Sequence, residues 1–241
     1  MYSFKIFIVS FIVVQCSVCL AKVSPDYIKP CVGLKSDCLM KNFQETLPLF
    51  VKGIPSIGVN STDPLTYSDI KMDLPGGLKL EFTDGVLTGL RKCIVDNVKF
   101  EGIEANIEIH CNLTIKGKYK AQGKVLIVSI NGDGDAKLKI SDMVLKGKLT
   151  FSDVVRDGVT YYDVKSYKVA YNIRDRVHFS LTNIFKGNPQ LSETVLTFLN
   201  ENWKDVVNEF GGPLIDLVIN IGFGNVKHFF SKVPKDELFV L

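Results

Sequence analysis

The sequence predicts an α+β fold in which a long C-terminal helix is wrapped by a strongly curved antiparallel sheet, with a short helix near the N-terminus. Three observations predict it. Residues 66 to about 183 are a series of Val-, Ile-, Leu-, Tyr- and Phe-rich segments with hairpin-sized connections, which implies antiparallel pairing and argues against a parallel nucleotide-binding sheet. From Asn188 onward the apolar residues switch to helical spacing. From Leu214 to Phe223 that helix is apolar on nearly every side, so other elements must surround it, and only the sheet matches its extent.

The first element is a leader. Lys5 precedes an apolar run from Ile6 to Val14, and Cys19-Leu20-Ala21 follows. A basic start, a short apolar stretch and a small final residue make residues 1–21 a secretory signal peptide, with cleavage after Ala21. The run is too short for the roughly 20 apolar residues of a spanning helix. Residues 22–241 then form one domain. Without the leader the chain carries one lysine fewer, and its formal charge falls from +3 to +2. That balance recommends neither nucleic acid nor an anionic membrane as a partner. An apolar content of 46% is high for a chain without a spanning segment and hints at an interior with room for a guest.

Four cysteines remain after the leader, Cys31, Cys38, Cys93 and Cys111. An even number in an exported chain suggests disulfides, with three possible pairings. Cys31 and Cys38 enclose a short loop and pair most economically. Cys93 and Cys111 fall directly opposite each other if their strands turn back at Gly102, within reach of a cross-strand bond; two buried free thiols are the alternative. Asn60-Ser61-Thr62 and Asn112-Leu113-Thr114 are N-glycan acceptor sequences. Asn60 sits in a loop-like stretch, whereas Asn112 lies in a strand and must face outward.

From Ser36 to Val51, Leu39, Phe43, Leu47 and Phe50 keep helical spacing, with Ser36 as N-cap and Pro48 bending the last turn. The expected strands cover 78–82, 86–100, 103–120, 123–130, 136–140, 143–151, 161–173 and 176–183. Turns are expected at Gly76-Gly77, Asp84-Gly85, Gly132-Asp133-Gly134 and Asp157-Gly158. Asn188-Pro189 is a cap and first turn. Leu191, Val195, Phe198, Leu199, Trp203, Val206 and Phe210 then form a stripe, and Gly211-Gly212-Pro213 should kink the helix. Continuous to about residue 231, it would run roughly 60 Å at 1.5 Å per residue.

Motifs for chemistry are weak. His110, His178 and His228 show no metal-ligand spacing, and there is no Gly-x-Ser-x-Gly elbow, His-Glu-x-x-His pair or phosphate loop. Asn131-Gly-Asp133-Gly-Asp135 with Asp142 imitates a calcium loop. Ala136 replaces the glycine at its sixth place, however, and Lys137 and Lys139 intrude among the would-be ligands; a tight turn between strands is the expectation. No enzyme, metal or cofactor is predicted.

The ordered motifs resemble the takeout and juvenile hormone-binding protein family of insects over nearly the whole mature chain. They run from Cys31 with Cys38 through Gly53-Ile54-Pro55, Asp63-Pro64-Leu65, Gly89-Leu90 and Gly123 with Leu126 to Gly132-Asp133-Gly134-Asp135-Ala136. Gly158 with Tyr161, Asn183-Ile184-Phe185-Lys186-Gly187-Asn188, Leu199-Asn200-Glu201-Asn202-Trp203 and Pro234 with Leu238-Phe239 complete the series. The resemblance implies a helix-in-sheet roll, shared with lipid-binding relatives of bactericidal/permeability-increasing protein, and a long apolar ligand in a closed tunnel. Juvenile hormone-binding proteins proper carry a second disulfide reaching the C-terminal helix. No cysteine here lies beyond Cys111, which is more like the takeout branch. Ser129 stands where the family often has proline.

The predicted function is therefore a secreted, monomeric carrier of a small hydrophobic ligand in extracellular fluid such as haemolymph, without stable membrane insertion. Candidate cavity residues are Phe43, Leu47, Phe50 and Phe82 from the first half of the chain, and Phe185, Phe198, Leu199 and Trp203 from the second. Tyr161 or Tyr162, Tyr171 and Ser180 are candidate donors to a polar head group. Which strand face points inward is left open, since one bulge reverses the alternation. Two alternatives predict different behaviour. A lipid-surface or partner-recognition protein would show an exposed apolar or basic tip, and a lipid-ester hydrolase would need a Ser-His-Asp geometry.

Overall fold

The computed structural model describes residues 22–240; the leader predicted over residues 1–21 lies outside them. In chain order the main elements are β1 (Cys31–Val32), α1 (Ser36–Phe50), β2 (Leu65–Tyr67), β3 (Ile70–Leu74), β4 (Leu78–Thr88), β5 (Ile94–Glu101) and β6 (Glu104–Val125). Then come β7 (Val128–Arg156), β8 (Val159–Leu181), α2 (Pro189–Glu201), α3 (Trp203–Phe210), α4 (Gly212–Lys232) and β9 (Phe239–Val240). The predicted α+β class is what forms. The antiparallel sheet runs β2-β4-β6-β7-β8, with β3 also beside β4 and β5 beside the N-terminal half of β6. It does not close, because among the described strands β8 pairs with β7 alone, and helices α2, α3 and α4 lie against β8.

The strands are fewer and longer than the glycine punctuation suggests. Residues 128–156 are one strand, so Gly132-Asp133-Gly134 is no turn, and the expected break at Asp84-Gly85 is a bulge inside β4. The glycines answer a steric need instead. A Cβ on Gly134 would stand 2.3 Å from the Thr182 carbonyl oxygen, and one on Gly132 would stand 3.0 Å from Ile184 Cα. The chain leaving β8 crosses there, and only glycine leaves it space. Conversely, the expected strand over 86–100 is interrupted between β4 and β5. Gly89 adopts φ +119°, where a Cβ would fall 2.2 Å from the Asn112 carbonyl oxygen.

A crease crosses the three long strands at mid-length. The register shifts between Cys111 and Leu113 on β6 and between Ser141 and Met143 on β7. Asp142 is the extra residue, with φ +53°. Its N–H donates to Asn112 Oδ1 at 2.8 Å, and its carboxylate takes Arg174 of β8 at 2.8 and 3.0 Å. A bulge of this kind bends its strand and reverses which residues face inward. On β7 the inner face is therefore Ala136, Leu138 and Ile140 before the crease, and Met143, Leu145, Leu149 and Phe151 after it.

The helices carry two further corrections. Ser36 does not cap α1. Lys35 occupies that position, and the Ser36 hydroxyl donates to the Val98 carbonyl at 2.6 Å, tying the helix to β5. The predicted single C-terminal rod is three helices. The kink expected at Gly211-Gly212-Pro213 is present as a 63° bend between α3 and α4. A second break falls at Asn202, whose side-chain amide donates to the Phe198 carbonyl at 2.8 Å, a local bond that competes with helix continuation. Asn188 does cap α2, accepting from the Leu191 N–H at 3.0 Å.

The two ends of the described residues meet. β1 pairs in parallel with β9, Cys31 opposite Phe239, and Cys31–Cys38 and Cys93–Cys111 are disulfide-bonded. The Glu237 carboxylate accepts the N–H groups of Val23 and Ser24. Burial alone would raise the Glu237 pKa, but these donors outweigh it and hold the carboxyl below its ordinary 4.5. A carboxyl with a lowered folded pKa adds stability above its unfolded value and loses it as pH falls through the folded one. Glu237→Gln should therefore reduce stability above pH 4.5 and narrow its difference from the parent protein below that value. Urea midpoints on both sides check this, and an equal deficit at every pH would contradict it.

Candidate functional site

The inner face of the sheet is defined by residues directly opposed across the strands, which share a face. Below the crease its rungs are Val95–Ile109–Leu145–Tyr171, Val98–Ile107–Gly147–Val169 and Phe100–Ala105–Leu149–Tyr167. Helix α4 comes down on the last two. Tyr167 stacks on Phe223 with ring centroids 4.1 Å apart, and its hydroxyl donates to Asn220 Oδ1 at 2.5 Å. A Cβ on Gly147 would lie 3.8 Å from the Phe223 ring, so the glycine lets the helix approach. Toward the crease the facing side chains stay partly uncovered. Ile107, Ile109, Leu145 and Ile173 of the sheet, and Leu214, Val218 and Ile221 of α4, touch the core without being buried. Tyr171 keeps 36% of its surface accessible.

The candidate residues divide accordingly. Leu47, Phe82 and Leu199 are buried core, and Phe43, Phe198 and Trp203 are half-buried against the same core. Phe50 lies apart, meeting Phe229 edge-on at 5.4 Å in a smaller cluster at the chain ends. Tyr162 faces inward among Phe100, Phe151 and Phe230. Tyr161 takes the other face, under the Arg156 guanidinium at 4.1 Å. Ser180 stands opposite Lys137, which stands opposite Lys116. It thus shares the outer face and lines an open cleft of about 640 Å³ with Lys116, Lys118 and Thr182. Phe185 borders a second open cleft of about 450 Å³ at the β8–α2 connection. Of the proposed polar donors, only Tyr171 reaches the partly uncovered part of the inner face.

Sequence reasoning missed Tyr167, Asn220 and Phe223. A usable signal was present, since Tyr167-x-Val169-x-Tyr171 alternates with period two and places Tyr167 on the same face as Tyr171. The buried Asp63 carboxylate was missed as a structural hub. It accepts the N–H groups of Gly89 and Arg91 at 3.2 and 2.7 Å and pairs with the Arg91 guanidinium.

The histidines are dispersed. His110 Nδ1 lies 2.7 Å from the Asp96 carboxylate, His178 is exposed on the outer face, and His228 Nε2 lies 2.8 Å from the Ile57 carbonyl oxygen. Among the described residues no cluster of His, Cys, Asp and Glu could hold a metal ion. No single described helix is long and apolar enough to cross a membrane.

A family model described as haemolymph juvenile hormone binding protein matches residues 8–240. The chain belongs to that family. Among the family's relatives of this chain, the circadian clock-controlled protein daywake of Drosophila melanogaster is 26% identical over 241 residues, covering 94% of this chain and 92% of its own. A Schistocerca gregaria protein whose name refers to β-carotene binding is 22% identical over 203 residues, 82% of this chain and 81% of its own. The crystal structure of Epiphyas postvittana Takeout 1 superposes with a TM-score of 0.84 at 38% identity, covering 89% of this chain and all of that one. The juvenile hormone-binding family is one of binding proteins, and the roll described above is the takeout fold.

Proposed function

We propose that this member of the juvenile hormone-binding family is a secreted, monomeric carrier. It would hold a small apolar molecule between the inner sheet face and helix α4, without chemical conversion. The observation that carries the reading is the set of apolar side chains left partly uncovered on the inner sheet face, Ile109 and Leu145 among them, and on helix α4, Val218 and Ile221 among them. Apolar surface of that kind is costly to leave facing water, and a guest of matching shape would remove the cost. At about 25 cal/mol per Å², burying a few hundred Å² of terpenoid or fatty chain gives roughly 5–10 kcal/mol before association costs, enough for micromolar or tighter binding. Tyr171 is the candidate partner for a polar end, since it lies on that face and stays accessible.

The names of the family and of the locust relative refer to juvenile hormone and β-carotene, both apolar molecules, and support this class of cargo. Two disulfides suit an oxidising extracellular fluid. Asn60 and Asn112 are exposed, as N-glycan acceptors must be. The test is native mass spectrometry of the secreted protein, followed by solvent extraction. A co-purifying apolar molecule that exchanges with added fatty acid or terpenoid is expected. An unliganded protein that also fails to take up either probe would end the proposal.

A further inference from the structure

The β6–β7 connection breaks the usual chemistry of a hairpin. Only Leu126 and Ile127 join Val125 to Val128, and Leu126 adopts φ +54°. Two-residue connections with a positive φ at their first position favour glycine. A leucine there is strained, because its Cβ crowds the backbone where a glycine would not. The leucine side chain turns back onto the core, whereas Ile127 is 86% exposed at the tip. A turn needs no isoleucine, and a strained turn that displays one points to a use for it.

Lysines flank this tip on one face. Lys124 lies one rung behind it, opposite Ser129, and Lys79 follows opposite Gln122, with Lys120 next on the same outer face. None of the three has a carboxylate within 4 Å among the described residues. Of the nearby acids, Glu81 is held by Lys71, Asp84 by Lys118 and Asp133 by Lys186, but Lys120 still stands between Glu81 and Asp133 and Lys79 opposite Asp73, so that of the three lysines Lys124, opposite Ser129, has no acid directly opposed to it. The neighbouring turn at Pro75–Gly77 buttresses the tip, because the Gly77 carbonyl oxygen approaches within 2.5 Å of where a Gly123 Cβ would stand. The tip therefore has an apolar point and a basic flank.

We propose that this end of the roll docks on an anionic lipid surface, Ile127 entering the headgroup boundary while Lys124 and, behind it, Lys79 meet the phosphates. An apolar point alone would suit another protein equally well. The lysines behind it, Lys124 above all, select an anionic interface, where apolar burial and headgroup attraction add. The inference rests on the surface of the hairpin and not on an occupied interior, so it goes beyond the carrier reading and stands or falls separately.

The test is flotation of the secreted full-length protein with vesicles of phosphatidylcholine alone, or of phosphatidylcholine and phosphatidylserine in equal parts. Binding to the mixed vesicles, weakened by salt, is expected. Ile127→Asp and the double change Lys79→Glu with Lys124→Glu should each lower partitioning about tenfold or more. Both leave the interior untouched, so circular dichroism and uptake of an apolar probe should match the parent protein. Equal binding to neutral vesicles, unchanged partitioning of the Ile127 variant, or retention on a soluble polyanion such as heparin without vesicle binding would each overturn the proposal. Loss of probe uptake in the parent protein would count against the carrier reading alone.

Discussion

Leu145→Trp should abolish uptake of an apolar probe while leaving unfolding free energy within about 1 kcal/mol of the parent protein. Leu145 faces inward between Ile109 and Tyr171, one rung above Gly147, and is only partly buried. In a filled interior an added indole forces neighbours off their preferred rotamers, which costs about 1–3 kcal/mol. In an interior with room for a guest the same ring occupies the guest's space and gains contact surface. The two measurements therefore separate the cases. A clear loss of stability with probe binding intact would show that the sheet and α4 already fill the space between them, and the carrier reading would fall.

Phe151→Ala should cost about 3–5 kcal/mol of stability. Phe151 is 2% exposed at the far end of β7 and meets Phe230 at 5.0 Å, Tyr162 at 5.2 Å and Phe100 at 5.5 Å. Those contacts join β5, β7 and β8 to helix α4 in one aromatic cluster. Truncation removes the apolar burial and leaves a void that three anchored rings cannot collapse to fill. Denaturant unfolding of both proteins, with the slope unchanged, measures the difference. A loss below about 1 kcal/mol would mean that the cluster rearranges freely and does not fix the helix on the sheet.

The overall architecture was legible because its causes are local and repeated. Period-two alternation on β6 and the all-round apolar stretch of α4 leave little choice of class. The hairpin at Gly102 placed Cys93 opposite Cys111, and their Cα atoms stand 4.4 Å apart in the bonded pair. Strand boundaries were not legible, because glycine has two meanings. At Gly102 it makes a turn with φ +60°, whereas at Gly132 and Gly134 it makes room for a crossing segment that no local pattern reveals. The orientation of the site tyrosines was left open for a related reason. The register shift between Val164 and Ser166 puts Tyr162 on the same face as Tyr167 and Tyr171 despite its opposite parity. The break at Asn202 depends on a single amide bond to the Phe198 carbonyl, too small a feature for spacing to disclose.

The pairing of β1 with β9 bears on how the chain is made. The first strand has no partner until nearly the last residues emerge, since Cys31 aligns with Phe239 and the Val23 and Ser24 amides wait for Glu237. Contacts this distant in sequence form slowly, after the loop-closure cost of the whole intervening chain has been met. The long meander can assemble during synthesis, but the roll stays unlatched at one end until Phe239 has emerged. A ribosome stalled just short of Phe239 would hold a nearly complete sheet whose N-terminal segment is still open to proteases.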